Sequence, residues 1–176
     1  MDISNCCKDK VTTRRYESPC GMLTLGSSDG RLCLCDWLAE NHQTDADRRL
    51  RRLLNAEPVE GTSEVIEKAV IQLDEFFAGQ RRVFDVPLLP VGTHFQKTVW
   101  SELQKIPYGT TLSYREIAQR IGMPKAVRAV ANANGANLLS IFIPCHRVVG
   151  SDRSLTGYRG GLAAKQVLLQ LEGAVR

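Results

Sequence analysis

Apolar and polar residues alternate with a period of two along residues 12–37, which is the pattern of half-buried β-strands. The apolar positions around the central turn are Leu23, Leu25, Leu32 and Leu34. Asp29 and Gly30 lie between them, and Asp-Gly is a favoured two-residue hairpin turn. The pattern therefore predicts a β-hairpin or a meander. We expect Cys33 and Cys35 to pack on the face opposite Leu32 and Leu34.

A helical period of apolar residues begins after Ser63 and ends at Gly79. Its members are Val65, Ile66, Ala69, Val70, Leu73, Phe76 and Phe77. Ser63 has a side chain suited to an N-cap, and glycine commonly ends a helix. We predict a core-facing amphipathic helix. The following segment, 85–92, holds two prolines and no helical period, so we place a domain boundary there, between residues 1–88 and 89–176.

Two capping boxes mark helix starts beyond this boundary. They are Thr93 with Gln96 and Ser113 with Glu116. The second helix is expected to end at Ile121-Gly122, and Pro124 to start another helix through about Asn134. Two helices joined by Gly-Met-Pro are a candidate helix-turn-helix, although helix pairs with a glycine turn are also common packing devices.

The last helix of this pair combines small residues with hydrogen-bond donors. The small residues are Ala126, Ala129, Ala131, Ala133 and Gly135; the donors are Lys125, Arg128, Asn132 and Asn134. Small residues allow the backbone to approach a groove closely, and this mixture suits the minor groove of DNA, which mainly distinguishes A·T from G·C pairs. We expect DNA binding with little sequence specificity.

Composition narrows the setting only slightly. The net charge of +4 and the isoelectric point near 8.8 permit a polyanionic partner without requiring one. The basic run at 48–52 is most simply the solvated face of a short helix, with contact to nucleic acid as the alternative. The chain has no apolar run long enough for a membrane helix and no signal-peptide pattern. Its six cysteines lack disulfide-framework spacing. We expect a cytoplasmic protein, or a nuclear one in a eukaryote.

The strongest chemical feature is Cys145 beside His146 in an apolar run. Residues 140–143 have the composition of a short buried strand, and Pro144 fixes the turn into the cysteine. A thiol reacts as the thiolate, which forms near neutral pH only if a base or a positive charge lowers its pKa. His146 and Arg147 are the candidates for that task, while burial would raise the pKa instead.

The surroundings of this dipeptide carry a family resemblance. Pro-Cys-His-Arg-Val at 144–148 follows Asn-Ala-Asn-Gly-Ala-Asn at 132–137 and precedes Thr-Gly-Tyr-Arg-Gly-Gly-Leu at 156–162. Residues 94–173 thereby resemble the O6-alkylguanine-DNA alkyltransferases, also called methylated-DNA-protein-cysteine methyltransferases. The resemblance implies an α/β N-terminal domain with a small antiparallel sheet, ribonuclease H-like and serving as scaffold. It implies a mainly α, winged-helix-like C-terminal domain that carries the functional residues.

The resemblance also implies roles for individual residues. Cys145 would attack the alkyl carbon on guanine O6, activated by a relay from Cys145 through water to His146 and Glu172. Asn137 would hold the turn and orient the thiol. Arg128 would enter the duplex in place of the flipped nucleotide, and Tyr114 would press on the adjacent phosphate. Further DNA contacts are expected from Arg115, Lys125, Ala126, Ala129 and Asn132.

The flipped base would be held by donors and acceptors around the thiol. The Tyr158 hydroxyl and the Arg159 backbone N–H would donate to it, and the carbonyls of Cys145 and Val148 would accept from its exocyclic amine. A thioether has no easy route back to a thiol, so each molecule would act once. We expect no cofactor. The expected partner is double-stranded DNA with alkylated guanine, with O4-alkylthymine left open, and the protein is expected to be a monomer.

Two departures from the family pattern bear on these expectations. Leu138-Leu139 stands where many relatives have a proline, so the loop beside the alkyl group could be more flexible. Arg159 stands where some relatives have a small residue, so the pocket could be narrower.

Some relatives bind zinc in the N-terminal half. The available ligands here are Cys6, Cys7, Cys20 and His42, whose spacing is no recognised zinc pattern, and we expect no metal.

Three other functions stay open at this point. A lesion-binding relative would recognise alkylated DNA without repairing it, but such proteins lack the reactive cysteine. A cysteine hydrolase could combine Cys145 with His94 or His146 and Asn137, although no acyl-enzyme signature surrounds the thiol. A winged-helix regulator would bind DNA equally well after Cys145→Ser.

Overall fold

A four-stranded mixed sheet forms the first half of the molecule. The computed structural model describes residues 10–38 and 43–175. The strands are β1 (Lys10–Ser18), β2 (Gly21–Ser28), β3 (Arg31–Trp37) and β4 (Glu57–Glu60), in the order β3-β2-β1-β4. The first three strands form the predicted antiparallel meander, but β4 is parallel to β1. Helix α1 (Gln43–Leu54) supplies the crossover that a parallel neighbour requires.

The β2-β3 hairpin confirms the predicted turn and corrects the predicted faces. Asp29 and Gly30 have φ values of 52° and 69°, the combination typical of a type I′ turn. Our prediction that Cys33 and Cys35 share one face is wrong, because the register shifts at Cys33. Such a bulge turns two successive residues to the same side. Cys33 therefore packs with Leu34 in one buried cluster, while Cys35 packs with Leu32 in the other.

Helix α2 (Glu64–Phe77) is the predicted core-facing helix, and it packs on the sheet. The Ser63 hydroxyl accepts a hydrogen bond from the Ile66 backbone N–H, and Gly79 follows the helix with a φ of 73°. The buried face consists of Val65, Ile66, Ala69, Gln72, Leu73 and Phe76. The helix packs against β1, β2 and β3 and closes the core of this half.

Short helices dominate the second half. They are α3 (His94–Leu103), α4 (Tyr114–Arg120), α5 (Val127–Gly135) and α6 (Gly161–Leu171), with a parallel pair β5 (Leu112–Ser113) and β6 (Val148–Val149). Both predicted capping boxes are formed, ahead of α3 and α4. Helix α5 starts three residues later than predicted, because the Ala126 N–H bonds to the Met123 carbonyl in a turn that contains Pro124.

Strand β3 joins the two halves. The predicted linker does not run free, because Leu32 exchanges hydrogen bonds with Pro87 (2.8 Å) and Leu89 (2.7 Å). Farther along the strand, the Cys35 N–H donates to the Leu138 carbonyl at 2.7 Å, and the Ser140 N–H donates to the Cys35 carbonyl at 2.8 Å. One hydrophobic core consequently runs through both halves, and the end of β3 lies against the segment that leads to Cys145. No helix in the described ranges is long and apolar enough to cross a membrane.

Candidate active site

The segment before Cys145 is a tight turn, so our prediction of a short strand at 140–143 is wrong. The Ile143 N–H bonds back to the Leu139 carbonyl at 2.8 Å, and Ile141 has a φ of 73°, which is unusual for a β-branched residue. Asn137 holds this turn from inside. Its Nδ2 donates to the Ile143 carbonyl and its Oδ1 accepts from the Leu139 N–H, both at 2.9 Å. Composition favoured a strand, but this side chain satisfies the backbone groups instead.

Cys145 begins a 3₁₀ turn, Cys145–Arg147, and only 2% of its surface is exposed. Burial raises the pKa of the thiol, and this effect outweighs the hydrogen bond from Asn137 and the positive charge of Lys165, which lower it. The thiol is therefore protonated at neutral pH. A reaction through the thiolate requires a base that removes this proton.

His146 and Arg147 both contact Glu172, which is the C-cap residue of α6. His146 Nε2 lies 2.9 Å from Glu172 Oε1. Arg147 donates from Nε to Oε2 at 2.8 Å and from Nη2 to Oε1 at 2.9 Å. His146 and Glu172 have fully buried side chains. The guanidinium thus neutralises the carboxylate. Arg147, which we considered as the charge that lowers the pKa of the thiol, pairs with Glu172 instead.

The charges in this network follow from burial and hydrogen bonding. Burial alone would raise the pKa of Glu172, but the hydrogen bonds and charges of His146 and Arg147 lower it to about 2. Burial lowers the pKa of His146, more than the bond to Glu172 raises it. The imidazole is therefore neutral and donates its Nε2 proton to the carboxylate. Its buried Nδ1 is then a lone pair, and no hydrogen-bond partner for it exists among the described residues.

Lys165 is a site residue that sequence reasoning missed. It is fully buried on α6, and its Nζ donates to the carbonyls of Val148 at 2.5 Å and Thr156 at 2.7 Å. Burial lowers the pKa of Lys165 to about 8, and a Cys145 thiolate, when it forms, acts in the opposite direction. The sequence signal that could have revealed Lys165 is its place on the apolar face of α6, three residues before Leu168. A lysine is rarely buried at such a position without a partner.

Most of the predicted DNA-contacting residues, on α4, on α5 and in the turn between them, are exposed. The predicted DNA contacts Arg115, Lys125, Arg128, Ala129 and Asn132 are all exposed, and Ala126 is half-buried. Tyr114 is half-buried, with its hydroxyl 3.4 Å from the Thr156 carbonyl. Asn134, which we expected to face a groove, is instead buried, and its Nδ2 donates to the Cys145 carbonyl at 3.3 Å. Ala133 is buried as well, because both lie on the inner face of α5.

The groups predicted to hold the base lie around the thiol, but several already have partners. The Cys145 carbonyl accepts from the Val148 N–H as well as from Asn134, and the Val148 carbonyl accepts from Lys165. The Arg159 guanidinium makes two hydrogen bonds to the Asp36 carboxylate, at 2.8 and 2.6 Å. The positive charge of Arg159 is therefore paired with a carboxylate of the sheet.

Comparison with known proteins decides the family. Residues 11–90 match the family model "6-O-methylguanine DNA methyltransferase, ribonuclease-like domain", and residues 94–174 match the corresponding DNA binding domain. A methylated-DNA--protein-cysteine methyltransferase of Mycolicibacterium paratuberculosis is 46% identical over 165 residues, covering 92% of each chain. The chain belongs to the methylated-DNA-protein-cysteine methyltransferases. A relative from Methanosarcina barkeri, 43% identical, covers 89% of this chain and 93% of its own.

Solved methyltransferase structures share the whole fold. The Mycobacterium tuberculosis O6-methylguanine methyltransferase superposes with a TM-score of 0.80 at 43% identity, over 93% of both chains. A structure of the M. tuberculosis protein OGT in complex with DNA superposes with a TM-score of 0.78 at 42% identity, over 94% of this chain and 93% of the other. These matches confirm the predicted family and the predicted two-part fold. The roles of individual residues stay predictions.

We predicted that the N-terminal half binds no zinc. Three of the four possible ligands lie outside the described residues: Cys6, Cys7 and His42. Within the described ranges, no group of three or more His, Cys, Asp or Glu side chains could hold a metal ion. The absence of zinc from the N-terminal half stays a prediction.

Proposed function

We propose that this methyltransferase repairs O6-alkylguanine in DNA by moving the alkyl group to its own Cys145, once per molecule. The observation that carries the proposal is the buried His146-Glu172-Arg147 network beside a buried thiol. Family membership supports the reaction class, and the network supports the assignment of the nucleophile and its base.

The network supports a specific order of proton movements. With Nε2–H directed to the ionised Glu172, the Nδ1 lone pair of His146 can take the Cys145 proton through one water molecule. The thiolate then attacks the alkyl carbon in line. The S–C bond forms, the C–O6 bond breaks, and the electron pair stays with guanine, which recovers the proton from His146. The sequence of steps needs no cofactor.

The base must leave the helical stack for this reaction, because a buried thiol cannot reach the O6 substituent of a stacked guanine. The exposed residues of α4, α5 and the turn between them support binding to duplex DNA, with Arg128 as the residue that fills the gap and Tyr114 against the phosphate. Small side chains at Ala126 and Ala129 would allow close approach to the minor groove. We also propose that the protein is a cytoplasmic monomer with a domain boundary at residue 88.

Departure of guanine as an anion is the hardest part of the step. Hydrogen-bond donors near the base lower the barrier to alkyl transfer, because they stabilise the negative charge that develops on guanine. The Tyr158 hydroxyl and the Arg159 N–H are our candidates. Because the Cys145 and Val148 carbonyls already accept hydrogen bonds, we expect them to contribute through their remaining lone pairs or after small adjustments.

The first test mixes the protein with one equivalent of duplex DNA containing O6-methylguanine and measures intact-protein and peptide masses. We expect one methyl group on the peptide with Cys145 and none in Cys145→Ser, which should still bind the damaged duplex. Binding without any mass gain in the unaltered protein would instead assign the chain to the lesion-binding alternative.

A further inference from the structure

The last two residues of β3 contact the loop that is expected to hold the base. Asp36 bonds to Arg159, and Trp37 contacts both Tyr158 and Gly160. We infer that Trp37 is a positioning residue for alkyl transfer: its indole N–H orients the Tyr158 hydroxyl so that the hydroxyl proton faces the departing base. This inference rests on the proposed function and assigns part of it to the N-terminal half, which we had expected to be scaffold.

The hydrogen bond between the two side chains has a defined direction. Trp37 Nε1 lies 3.2 Å from the Tyr158 hydroxyl oxygen, and 5% of Trp37 is exposed. The indole nitrogen can only donate, so the phenolic oxygen must accept. The rings meet edge to face, with centroids 5.9 Å apart and an interplanar angle of 69°. One lone pair of the hydroxyl is thereby occupied from the side of the sheet.

This occupancy restricts where the hydroxyl proton can point. A phenolic O–H prefers to lie in the plane of its ring, which leaves two orientations, and the incoming indole N–H excludes one of them. Among the described residues, the hydroxyl makes no other hydrogen bond. The proton therefore points away from Trp37. The Tyr158 ring also lies beside His146, with ring centroids 6.5 Å apart, so the hydroxyl that Trp37 orients belongs to a side chain in contact with the active site.

The neighbouring contacts keep this arrangement rigid. A Cβ atom at Gly160 would lie 2.5 Å from the Trp37 ring, so the indole packs directly on the loop backbone. One residue along each segment, the two hydrogen bonds between Arg159 and Asp36 clamp the same loop to the same strand. Residues 158–160 are thus held as a unit by Asp36 and Trp37, and the donor geometry at Tyr158 is fixed before the base arrives.

Trp37 acts here through a hydrogen bond and transfers no proton itself. As the C–O6 bond breaks, negative charge develops on guanine, and the oriented Tyr158 O–H donates a hydrogen bond to it. Donation from Trp37 to the same oxygen strengthens Tyr158 as a donor, because hydrogen bonds in a chain polarise one another. The benefit arises in the transition state, so it should appear in the rate and hardly in DNA affinity.

The test compares Trp37→Phe with Trp100→Phe under single-turnover conditions. Trp100 is a matched control, because it is buried and its Nε1 donates one hydrogen bond, to the Ala133 carbonyl at 2.8 Å. We expect Trp37→Phe to lower the maximal transfer rate about fivefold, the value of one neutral hydrogen bond, with half-saturating DNA concentration unchanged. We expect Trp100→Phe to change the rate less than twofold.

A double-mutant cycle with Tyr158→Phe separates positioning from general support. If Trp37 acts through the hydroxyl, Trp37→Phe has no further effect on the rate once the hydroxyl is absent. An equal loss in the Tyr158→Phe background, or an unchanged rate in Trp37→Phe alone, would overturn the inference. Should Trp37→Phe unfold, benzothienylalanine at position 37 keeps the bicyclic shape without the N–H. Methyl transfer by the unaltered protein, measured alongside, shows whether the proposed function itself holds.

Discussion

Glu172→Gln is the sharpest test of the buried network, because it keeps the size of the side chain and removes its charge. The carboxylate accepts four hydrogen bonds from the part of the chain that the structure describes. They come from His146 Nε2, from Arg147 Nε and Nη2, and from the Gly109 N–H at 3.3 Å. Each oxygen accepts two of them. Whichever oxygen the amide nitrogen of glutamine replaces, that nitrogen faces two hydrogen-bond donors. The buried Arg147 then loses one of its two hydrogen bonds to this side chain.

Two routes give the same magnitude for the loss of stability. Removing one partner of a buried ion pair costs about 3–5 kcal/mol in measured cases. Lowering the pKa of Glu172 from 4.5 in the unfolded chain to about 2 corresponds to about 3 kcal/mol. We therefore expect Glu172→Gln to lower the free energy of unfolding by about 3 kcal/mol at pH 7, measured by urea titration with tryptophan fluorescence.

The pH dependence has a definite sign. The pKa of Glu172 is lowered in the fold, so its contribution is complete above pH 4.5 and is lost as the pH falls toward 2. The difference in stability between the unaltered protein and Glu172→Gln should shrink over that window. Glu67→Gln is the control, because Glu67 bonds to Arg14 at an exposed site and should change stability far less.

The same substitution should slow alkyl transfer through the imidazole. A glutamine amide can donate to His146 Nε2, which would move the ring proton to Nδ1 and remove the lone pair that accepts from Cys145. We expect a rate loss that persists under conditions where the variant is fully folded. A stability change below about 1 kcal/mol together with an unchanged rate would refute both the charge assignment and the tautomer.

Three further changes test other parts of the site. Arg128→Ala should weaken duplex binding and make the fall of log affinity with log salt less steep by about 0.9, because one positive charge near the DNA is lost. Transfer from the free O6-methylguanine base should be unaffected. Arg31→Ala is the exposed control, and equal effects of the two substitutions would contradict the assignment. Lys165→Met removes the positive charge that lowers the pKa of Cys145, so we expect slower transfer, and an unchanged rate in a fully folded variant would exclude this role. Asp36→Asn weakens the two bonds to Arg159 and should cost about 2 kcal/mol in urea unfolding, whereas a loss near zero would mean that the clamp is dispensable.

Local features of this protein were readable from its sequence because their causes are local. The Asp29-Gly30 turn, the Ser63 N-cap and the two capping boxes each depend on a few adjacent residues. The motif around Cys145 carried the family, and with it the pairing of His146 with Glu172 across 26 positions. Residue chemistry alone assigned Glu172 no partner, so that contact came only through resemblance.

Tertiary structure decided what depended on distant partners. Residues 140–143 have strand composition, but Asn137 folds them into a turn by satisfying their backbone groups. Burial, which no local pattern measures, keeps Cys145 protonated and makes the base necessary. Asp36 and Trp37 read as ordinary strand residues until the fold brings them to a loop more than 120 positions away. Sequence determined the chemistry available at this site, and long-range packing determined which groups are close enough to use it.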